Sequence, residues 1–579
     1  MCVWCIGLAI IPAAAQDLAA IGKQKPFSLA TNLSLNTSLY SATGIDNRQE
    51  PFGWQAAGTV TLGIYGLQLP ISFVVGEDQR AFKQPFDQFG ISPTYKWITL
   101  HGGHRGVTFS PYTLAGHTFL GGGIELNPGL FRSGFIYGRF VRAVQPDSLD
   151  SLQVREPAFS RYGWAAKLGV GKPDNYGDII MLRAWDDSSS VRDRRDSTLT
   201  PPQDNIVVAL VTRNTLFKVV TVSLEAAASG HTRDQYAPVL GDSESATLEW
   251  LRGIFDPNLS TTTGMALSGT VDAALRALTV NATYKRVSPG YASLGAYFID
   301  NDLEAWSITP SLGLLDHRLR LTASTGMQHD DLAGTKTATT YRWRSMGGLM
   351  YTPVPLIGAN IQYVNLSTHQ RAGTISPLPD STRLDQTHHQ LVISPHTAFD
   401  KASLSGSGVL SYSWSYLHDR NPYSRDRTRS SVHTATLAGQ LLPKAAGLTI
   451  APSLTYTSVR TAPATNQLAG FSLRLNRPFL ERALHVDFVN SYSWSIQDND
   501  LGAFTYTSRL NGAYAVGKFH RMNLAMVFTR NIGYVLPSRT FSEFRGSLGY
   551  TFNVPTLRFG GRRGAGDEHV GQPTPQSPM

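Results

Sequence analysis

The feature that most constrains this chain is an alternation of large apolar and small polar residues with period two. In residues 410–416, leucine, tyrosine and tryptophan occupy the even positions and serine occupies the odd ones. A β-strand places two such sets on opposite faces, whereas a helix would scatter the aromatic rings around its axis. Residues 488–496 and 544–554 repeat the pattern. It therefore predicts long strands with one apolar and one polar face.

Composition narrows the class of protein. The chain has 579 residues, of which 42% are hydrophobic and only 16% charged, and it is rich in aromatic residues and glycine. Soluble domains usually carry more charge. A helical membrane protein would show apolar runs of about 18 residues or more, and none occurs beyond residue 15. A soluble β-sandwich also alternates, but the chain length and the weakly charged polar faces favour a membrane β-barrel.

The connections support the same architecture. Short turns rich in Gly, Pro, Asn and Asp alternate with long polar stretches at 144–161, 187–204, 229–263, 287–304, 328–338, 367–387 and 418–430. This asymmetry is typical of barrels with short periplasmic turns and longer extracellular loops. The predicted fold is all-β, a single-chain transmembrane antiparallel β-barrel of about 26 strands, within a range of roughly 22–28.

Four segments are predicted. Residues 1–15 combine a short apolar core with Ala13, Ala14 and Ala15, which is typical of a cleaved signal peptide. Residues 16–26 form a short periplasmic segment, residues 27–554 the barrel, and residues 555–579 a disordered tail rich in Gly and Pro. Because both cysteines, Cys2 and Cys5, fall within the signal peptide, the rest of the chain can form neither disulfides nor thiolate sites.

Motifs that would indicate an enzyme are missing from the sequence. We find no nucleotide-binding loop, zinc helix or nucleophile elbow, and therefore predict no catalytic residue, cofactor or metal site. His101 and His104 flank Gly102 and Gly103 in a predicted turn, and adjacent His388 and His389 would point to opposite faces of a strand. A serine hydrolase site assembled across strands would not be visible in the sequence.

The net charge of +9 comes from scattered basic residues, which argues against nucleic-acid binding. Several of these residues lie where they could line a cationic lumen. Charged side chains spread along the strands without any role in a pore would explain them too. The candidates for the lumen or its constriction are Lys96, His104, Arg105, Arg318, Arg320, Arg342, Arg344 and Arg545.

One long loop has helical spacing of its own. Apolar residues recur through residues 243–255, an N-cap is available at Asp242 or Ser243, and Pro257 would end the helix. This segment could enter the lumen as a plug, cap the outside, or form a surface helix without a gating role. Its candidate plug residues are Leu248, Trp250, Leu251, Ile254 and Phe255.

Two stretches carry a resemblance. FGISPTYKWITLHGGHRGVTFSPYTLAGHTFLGGGIELNPG and YKRVSPGYASLGAYFIDNDLEAWSITPSLGLLDHRLRLTASTGMQHDDL resemble an uncharacterised Bacteroidota family of large outer-membrane β-barrel proteins, and the likeness covers most of the barrel. The resemblance implies an outer-membrane location and suggests lipoprotein partners. It implies no specific activity.

Three functions follow as hypotheses. The first is a porin-like channel for small solutes with a preference for anions, since arginines around a lumen concentrate anions. The second is a secretion, assembly or cell-surface component whose barrel docks lipoproteins or secreted proteins. The third, and least favoured, is a barrel enzyme. In each case we expect contact with outer-membrane lipid and lipopolysaccharide.

Overall fold

A computed structural model describes residues 16–17, 27–64, 67–76, 90–145, 157–191, 200–239, 254–375, 377–462, 464–498, 500–535 and 539–559. The predicted signal peptide, at residues 1–15, lies outside these ranges, as do residues 560–579 of the predicted tail. In the described part of the chain, 28 strands form a single sheet, which confirms the predicted all-β fold.

The strands are numbered in chain order. The first half of the sheet contains β1 (Gln16–Asp17), β2 (Phe27–Thr43), β3 (Phe52–Ile64), β4 (Leu67–Gly76), β5 (Gly90–Ile91), β6 (Pro93–Tyr95), β7 (Ile98–Thr108), β8 (Ala115–Leu126), β9 (Phe131–Val141), β10 (Ser160–Lys172), β11 (Asn175–Asp187), β12 (Asp204–Leu216), β13 (Val220–Thr232) and β14 (Thr261–Leu275).

The second half contains β15 (Leu278–Val287), β16 (Leu303–Leu314), β17 (Leu319–His329), β18 (Ala338–Val354), β19 (Ile357–Ala372), β20 (Asp385–Asp400), β21 (Leu404–Asp419), β22 (Ser430–Pro443), β23 (Thr449–Thr461), β24 (Ala464–Phe479), β25 (Leu484–Gln497), β26 (Asp500–Val516), β27 (His520–Gly533) and β28 (Phe541–Phe559). One helical turn, α1 (Arg425–Thr428), precedes β22.

The strands pair antiparallel in sequence order from β2 to β4 and from β7 to β28, and β2 pairs with β28, which joins the two ends of the chain into a barrel. The short strands β5 and β6 pair with successive parts of β7 and act as one interrupted strand. The two-residue β1 pairs in parallel with β6 and also contacts β4. The described strands thus agree with the predicted size of the barrel.

The two ends of the barrel differ in their connections. One end, here called the turn end, carries tight links such as residues 217–219 and 517–519. The other, the loop end, carries long links such as residues 288–302 and 373–384. This confirms the predicted alternation, except that the late loop-end links after β23 and β25 are short. The predicted tail starts too early, because β28 continues to Phe559 by pairing with Phe27–Leu29 of β2.

The buried apolar core does not fill the whole barrel. It is concentrated on one face of strands β8–β14, where two loop-end connections pack against the wall. Among the described residues, no helix has the length and apolar character needed to cross a membrane.

Candidate pore lining and lumen constriction

The two faces of the wall can be followed from strand to strand, because residues paired across a ladder lie on the same face. In β21, Leu410 and Tyr412 share a face and pair with Leu437 and Ala435 of β22. Leu410 and Leu437 are 49% and 53% exposed, so this face presents apolar side chains to the surroundings. We assign it as the outward face and the opposite, serine-bearing face as the lumenal one.

Hydroxyl groups dominate the lumenal face of the second half of the barrel. Pairs of Ser and Thr on adjacent strands lie within hydrogen-bonding distance of each other, and the wall they form is polar without being charged. Such pairs, with oxygen–oxygen distances between 2.7 and 3.5 Å, are Thr283–Ser307, Thr309–Ser324, Ser394–Ser411, Thr434–Thr457, Ser453–Ser472 and Thr507–Thr529.

The lumenal face of β8–β14 is covered instead by residues 288–302, the connection between β15 and β16. We call this segment the lumen loop. Its Tyr291 is 1% exposed and lies in the same core as Leu182, Val207, Ala227 and Ala266, which are lumenal residues of four different strands. The loop therefore folds back across the inside of the wall and narrows the lumen on that side.

Hydrogen bonds fix the backbone of the lumen loop to the wall. The side-chain amide of Asn205 donates to the carbonyl of Ala292 (3.1 Å), and its oxygen accepts from the N–H of Leu294 (2.9 Å). The N–H of Ala292 donates to Oγ of Ser229 (3.2 Å). Because these partners belong to β12 and β13, the loop is held by two different strands.

A second short connection, residues 109–114, supports the lumen loop from the side. Oγ of Ser293 donates to the carbonyl of Thr113 (2.7 Å), and the N–H of Ala115 donates to the carbonyl of Gly295 (3.1 Å). A Cβ at Gly295 would lie 2.3 Å from Cδ1 of Leu182 and 2.9 Å from the carbonyl oxygen of Thr113, so only glycine fits there.

Titratable groups are buried beneath the lumen loop. The carboxylate of Glu225, which is 5% exposed, accepts a hydrogen bond from the N–H of Tyr112 (3.1 Å). Burial raises the pKa of Tyr112 to about 12, and burial together with the nearby Glu225 also raises the pKa of Tyr291. Both tyrosines are therefore neutral hydrogen-bond donors at physiological pH.

At its far end the lumen loop presents aromatic rings to the lumen. The ring of Tyr297 stacks on His117 of β8 at a centroid distance of 4.2 Å, and its hydroxyl accepts from the N–H of Thr118 (3.1 Å). His117 in turn stacks on Phe140 of β9 at 5.2 Å. The next residue of the loop, Phe298, is 92% exposed. The constriction is therefore aromatic at the loop end.

Charged residues on the lumenal face of β8–β11 are largely compensated. Nε of Arg132 lies 2.8 Å from Asp178, and Nε of Arg161 lies 2.8 Å from Asp186. Each arginine makes two hydrogen bonds to its carboxylate, and such paired contacts hold both groups in place. These pairs stiffen the wall under the lumen loop and add no net charge to the lumen.

The predicted cationic residues fall into three groups. Register places Arg105, Arg320, Arg342 and Arg344 on the lumenal face. Of these, Arg342 and Arg344 are exposed neighbours on β18, and neither forms an ion pair with a described carboxylate. Arg320 lies near the turn end, beside Arg276 and His317. The structure therefore places two of the predicted arginines next to each other on the lumenal face of β18.

Arg545 is also lumenal, but its guanidinium donates to the carboxylate of Glu543 at 2.8 Å, so its charge is compensated. Lys96 and Arg318 belong to turns at the turn end. His104 is wrong as a lumenal candidate, because its partner Leu120 lies on the outward face. The predicted turn at Gly102 and Gly103 is also wrong, since both lie inside β7.

The candidate plug residues lie only partly within the described chain. Leu248, Trp250 and Leu251 are outside it, so the helix remains a prediction. Phe255 is fully buried against Ile206 and Met181, which are outward-facing residues of β12 and β11, and Ile254 is 40% exposed. This end of the segment covers the outside of the wall and does not enter the lumen.

The lumen loop is the feature that the sequence reasoning missed. The prediction of a polar loop at residues 287–304 is wrong for its central part, because the stretch from Tyr291 to Ile299 is mostly apolar, aromatic or small. A loop that is apolar at this density needs something to pack against. That composition was the signal that could have identified it.

One serine, histidine and glutamate do meet on the lumenal side. Oγ of Ser92 lies 2.7 Å from Nδ1 of His101, and Nε2 of His101 lies 3.2 Å from Glu125, whose other oxygen lies 3.2 Å from Lys167. Ser92 is 7% exposed and the side chain of His101 is 8% exposed. A nucleophile this enclosed has no room for a substrate, so we interpret the group as a structural tie between β7, β8 and β10.

No family model matches the chain, and no curated protein matches its sequence. The predicted family resemblance therefore stays a prediction.

Solved structures similar to this chain include the FrpB iron transporter of Neisseria meningitidis (10% identity, 90% of this chain and 81% of that one, TM-score 0.37). The siderophore receptor PirA of Pseudomonas aeruginosa matches at 10% identity over 90% of this chain and 80% of that one, with a TM-score of 0.34. OccAB2 of Acinetobacter baumannii matches at 8% identity over 61% of this chain and 93% of that one, with a TM-score of 0.30. At these values the fold assignment depends on the strand pairing above.

Proposed function

We propose that this chain spans a bacterial outer membrane as a β-barrel and conducts small solutes through its lumen, with a preference for anions. The observation that carries the proposal is the opposite chemical character of the two faces of the same strands. One face exposes large apolar side chains, and the other carries hydroxyl groups and arginines.

The outward face supports the membrane location. Leu168, Val170 and Ile179 are 58%, 64% and 59% exposed on adjacent strands β10 and β11. Apolar surface that is continuous around a sheet would cause aggregation in water, but it is stable against lipid hydrocarbon. The long strands of 10 to 19 residues also reach the length that a tilted membrane strand requires.

The lumenal face supports conduction. A wall of paired hydroxyl groups is wetted by water yet binds no ion tightly, which is what a conducting surface requires. The lumen loop narrows the side lined by β8–β14, so solutes would pass along the hydroxyl-lined side. On that side lie the exposed guanidinium groups of Arg342 and Arg344. Two neighbouring positive charges without a carboxylate partner raise the local anion concentration.

Planar-bilayer conductance of the refolded protein under a salt gradient tests the proposal. We expect steady conductance steps and a reversal potential of the sign given by anion preference. The double variant Arg342→Gln/Arg344→Gln should reduce that preference. Arg530→Gln, which removes an exposed arginine from the outward face of β27, is the matched control and should change nothing.

Two results would count against the proposal. Cation selectivity in the wild-type protein would overturn the anion preference. A folded barrel that never conducts would overturn the channel itself, and a component that docks lipoproteins or secreted proteins would then be the better hypothesis.

A further inference from the structure

We propose that the lumenal wall at the turn end holds a binding pocket for a small phosphorylated solute, with the phosphate at Arg276, His317 and Arg320. The inference names a class of solute for the channel, and it rests on the function proposed above, because the lumen is the route by which a solute would reach the pocket. It concerns a different part of the wall from Arg342 and Arg344, which lie in the loop-end half of β18.

The pocket is a cavity of about 390 Å³ formed where β14–β18 reach the turn end. Arg276 comes from the link between β14 and β15, and His317 comes from the link between β16 and β17. Arg320 of β17 and Met350 of β18 also line the cavity and are paired across the ladder. The cavity falls in the range of about 300–1,000 Å³ that is usual for small-molecule sites.

Strand register places this cavity on the lumenal side of the wall. Arg320 faces the lumen, so its ladder partners Gly313 and Met350 do as well. A Cβ at Gly313 would lie 3.2 Å from Nδ1 of His317, so the imidazole lies over the lumenal surface of β16, beside Arg320. The N–H of Gly313 donates to the carbonyl of Ala277 (2.8 Å), which ties the β14–β15 link to the same strand. The basic groups therefore converge from two links and one strand.

The three basic side chains of the pocket are available to an anion. All three are exposed, and within residues 254–375, which the structure describes without a gap, none of them forms a side-chain hydrogen bond or an ion pair. Two carboxylates, Asp272 and Asp316, are close in the sequence, but neither lines the cavity. Asp272 instead accepts a hydrogen bond from Asn281 (2.6 Å). The cavity therefore carries positive charge that no carboxylate of this part of the wall neutralises, and such charge attracts anions.

The number of donors favours phosphate over a carboxylate. Each guanidinium presents several N–H donors in one plane, and the imidazole adds an N–H whether or not it is charged. A phosphate monoester offers three terminal oxygens and nearly two negative charges at neutral pH, whereas a carboxylate offers two oxygens and one charge. Arginine also binds phosphate through two parallel hydrogen bonds. Only the phosphate can therefore accept bonds from all three basic groups at once.

The rest of the pocket suits a hydroxylated organic group attached to that phosphate. Thr279 and Ser311 are ladder partners in the lining. Unlike the hydroxyl pairs described above, neither of these two has a side-chain partner among residues 254–375, so both can bond to a solute. The side chain of Met350, which is 44% exposed, adds an apolar contact. A sugar phosphate combines hydroxyl groups, an apolar ring face and a phosphate in this way.

Isothermal titration calorimetry of the refolded full-length protein in detergent tests the pocket. The probes are glucose 6-phosphate, glucuronate and glucose, which share one sugar ring and differ in the group at carbon 6. We expect glucose 6-phosphate to bind about tenfold or more tighter than glucuronate, because hydrogen bonds to charged groups are the strong ones and the phosphate accepts more of them. Glucose should not bind measurably, and inorganic phosphate should bind more weakly than glucose 6-phosphate.

Four variants separate the parts of the pocket. Arg276→Gln and Arg320→Gln should each weaken the binding of glucose 6-phosphate by about tenfold. Arg318→Gln is the matched control, because Arg318 belongs to the same link as His317 but does not line the cavity, and it should bind like the wild type. Met350→Ala should weaken the binding of glucose 6-phosphate and leave that of inorganic phosphate unchanged. Circular dichroism and heat-dependent gel migration report whether each variant is folded.

Three outcomes would overturn the proposal. The first is a wild-type protein that does not bind glucose 6-phosphate, and the second is equal binding of glucose 6-phosphate and glucuronate. The third is a loss with Arg318→Gln as large as the loss with Arg320→Gln, which would indicate diffuse attraction. Calorimetry does not depend on conduction. A barrel that binds the sugar phosphate but never conducts would overturn the channel alone, and a conducting barrel that does not bind it would overturn the pocket alone.

Discussion

The hydroxyl of Tyr291 donates a hydrogen bond of 2.6 Å to the backbone carbonyl of Tyr112, and this bond joins two connections that lie 179 residues apart in the sequence. The two rings also pack edge to face at a centroid distance of 5.9 Å. This contact links the lumen loop to the 109–114 connection at a point away from solvent. It is therefore the most direct place at which to test whether the loop is fixed.

Tyr291→Phe should loosen the lumen loop without unfolding the barrel. The variant leaves a buried carbonyl without its hydroxyl donor, which costs about 1–3 kcal/mol of local stability. We expect single-channel recordings with more frequent transitions between conductance levels. Tyr534→Phe, at an exposed tyrosine of another loop-end connection, is the control and should record like the wild type. Unchanged traces for Tyr291→Phe would show that this bond does not hold the loop.

Gly295→Ala should displace the lumen loop by steric conflict. The new methyl group would meet Leu182 and the carbonyl of Thr113, and overpacking of this kind costs about 1–3 kcal/mol. The expected result is greater protease sensitivity within residues 288–302 and a larger mean conductance. Gly347→Ala, where a Cβ meets open space, should show neither change. Equal behaviour of the two variants would argue against close packing at Gly295.

The ion pair of Arg545 and Glu543 at the loop end should influence the ion selectivity of the channel. Arg545→Gln removes one positive charge and leaves the carboxylate of Glu543 unpaired, so it should lower the preference for anions, but by less than Arg342→Gln/Arg344→Gln, which removes two positive charges. Glu543→Gln releases the arginine and should increase the preference for anions. Reversal potentials measured under one salt gradient compare all three. A decrease in anion preference with Glu543→Gln would contradict the assigned pairing.

The connection at residues 330–337 should respond to acid. Hydrogen bonds, first from the N–H of Lys336 and also from Thr339, lower the pKa of Asp331. Burial opposes ionisation of Asp302, but hydrogen bonds from Lys336 and from the N–H groups of Leu332 and Asp331 outweigh it and lower that pKa too. Carboxylates with lowered pKa values stabilise the fold above their unfolded pKa, and the contribution is lost as pH falls through the folded one.

Hydrogen exchange at residues 330–337 should therefore be slow at neutral pH and become faster below about pH 4, after correction for intrinsic exchange. Asp331→Asn should give fast exchange already at neutral pH. Amides of the wall strand β23 serve as an internal reference. Protection that stays constant as the pH falls would contradict the role given to the two carboxylates.

Much of the wall could be predicted because strand geometry is local. Period-two alternation is enough to place Arg342 and Arg344 together on the lumenal face, since residues two apart in a strand share a face. One prediction about the wall is wrong for a local reason. Glycines at 102 and 103 suggested a turn, but β7–β9 are crowded: a Cβ at Gly121 of β8 would lie 2.1 Å from the carbonyl oxygen of Tyr137.

The lumen loop could not be located from the sequence because its contacts are non-local. Asn205, Ser229 and Thr113 bond to it from three separate parts of the chain, and nothing near those residues in the sequence indicates the loop. The compensation of Arg545 was missed for a different reason. Glu543 lies two residues away on the same face, and the pairing could have been inferred from the period that placed the arginine.

The pairing of β2 with β28 has a consequence for how the protein is made. Thr37 donates a side-chain hydrogen bond to the carbonyl of Leu548, a residue 511 positions later. The pairing of β2 with β28, which closes the barrel, can therefore form only after the C-terminal strand has been synthesised. Until then β2 and the growing sheet each present an unpaired edge, which is a template for aggregation. Contacts of such sequence separation also form slowly, because the loop they close is long. Synthesis and closure are thus separated in time, and a cellular factor that covers these open edges would be needed during the interval.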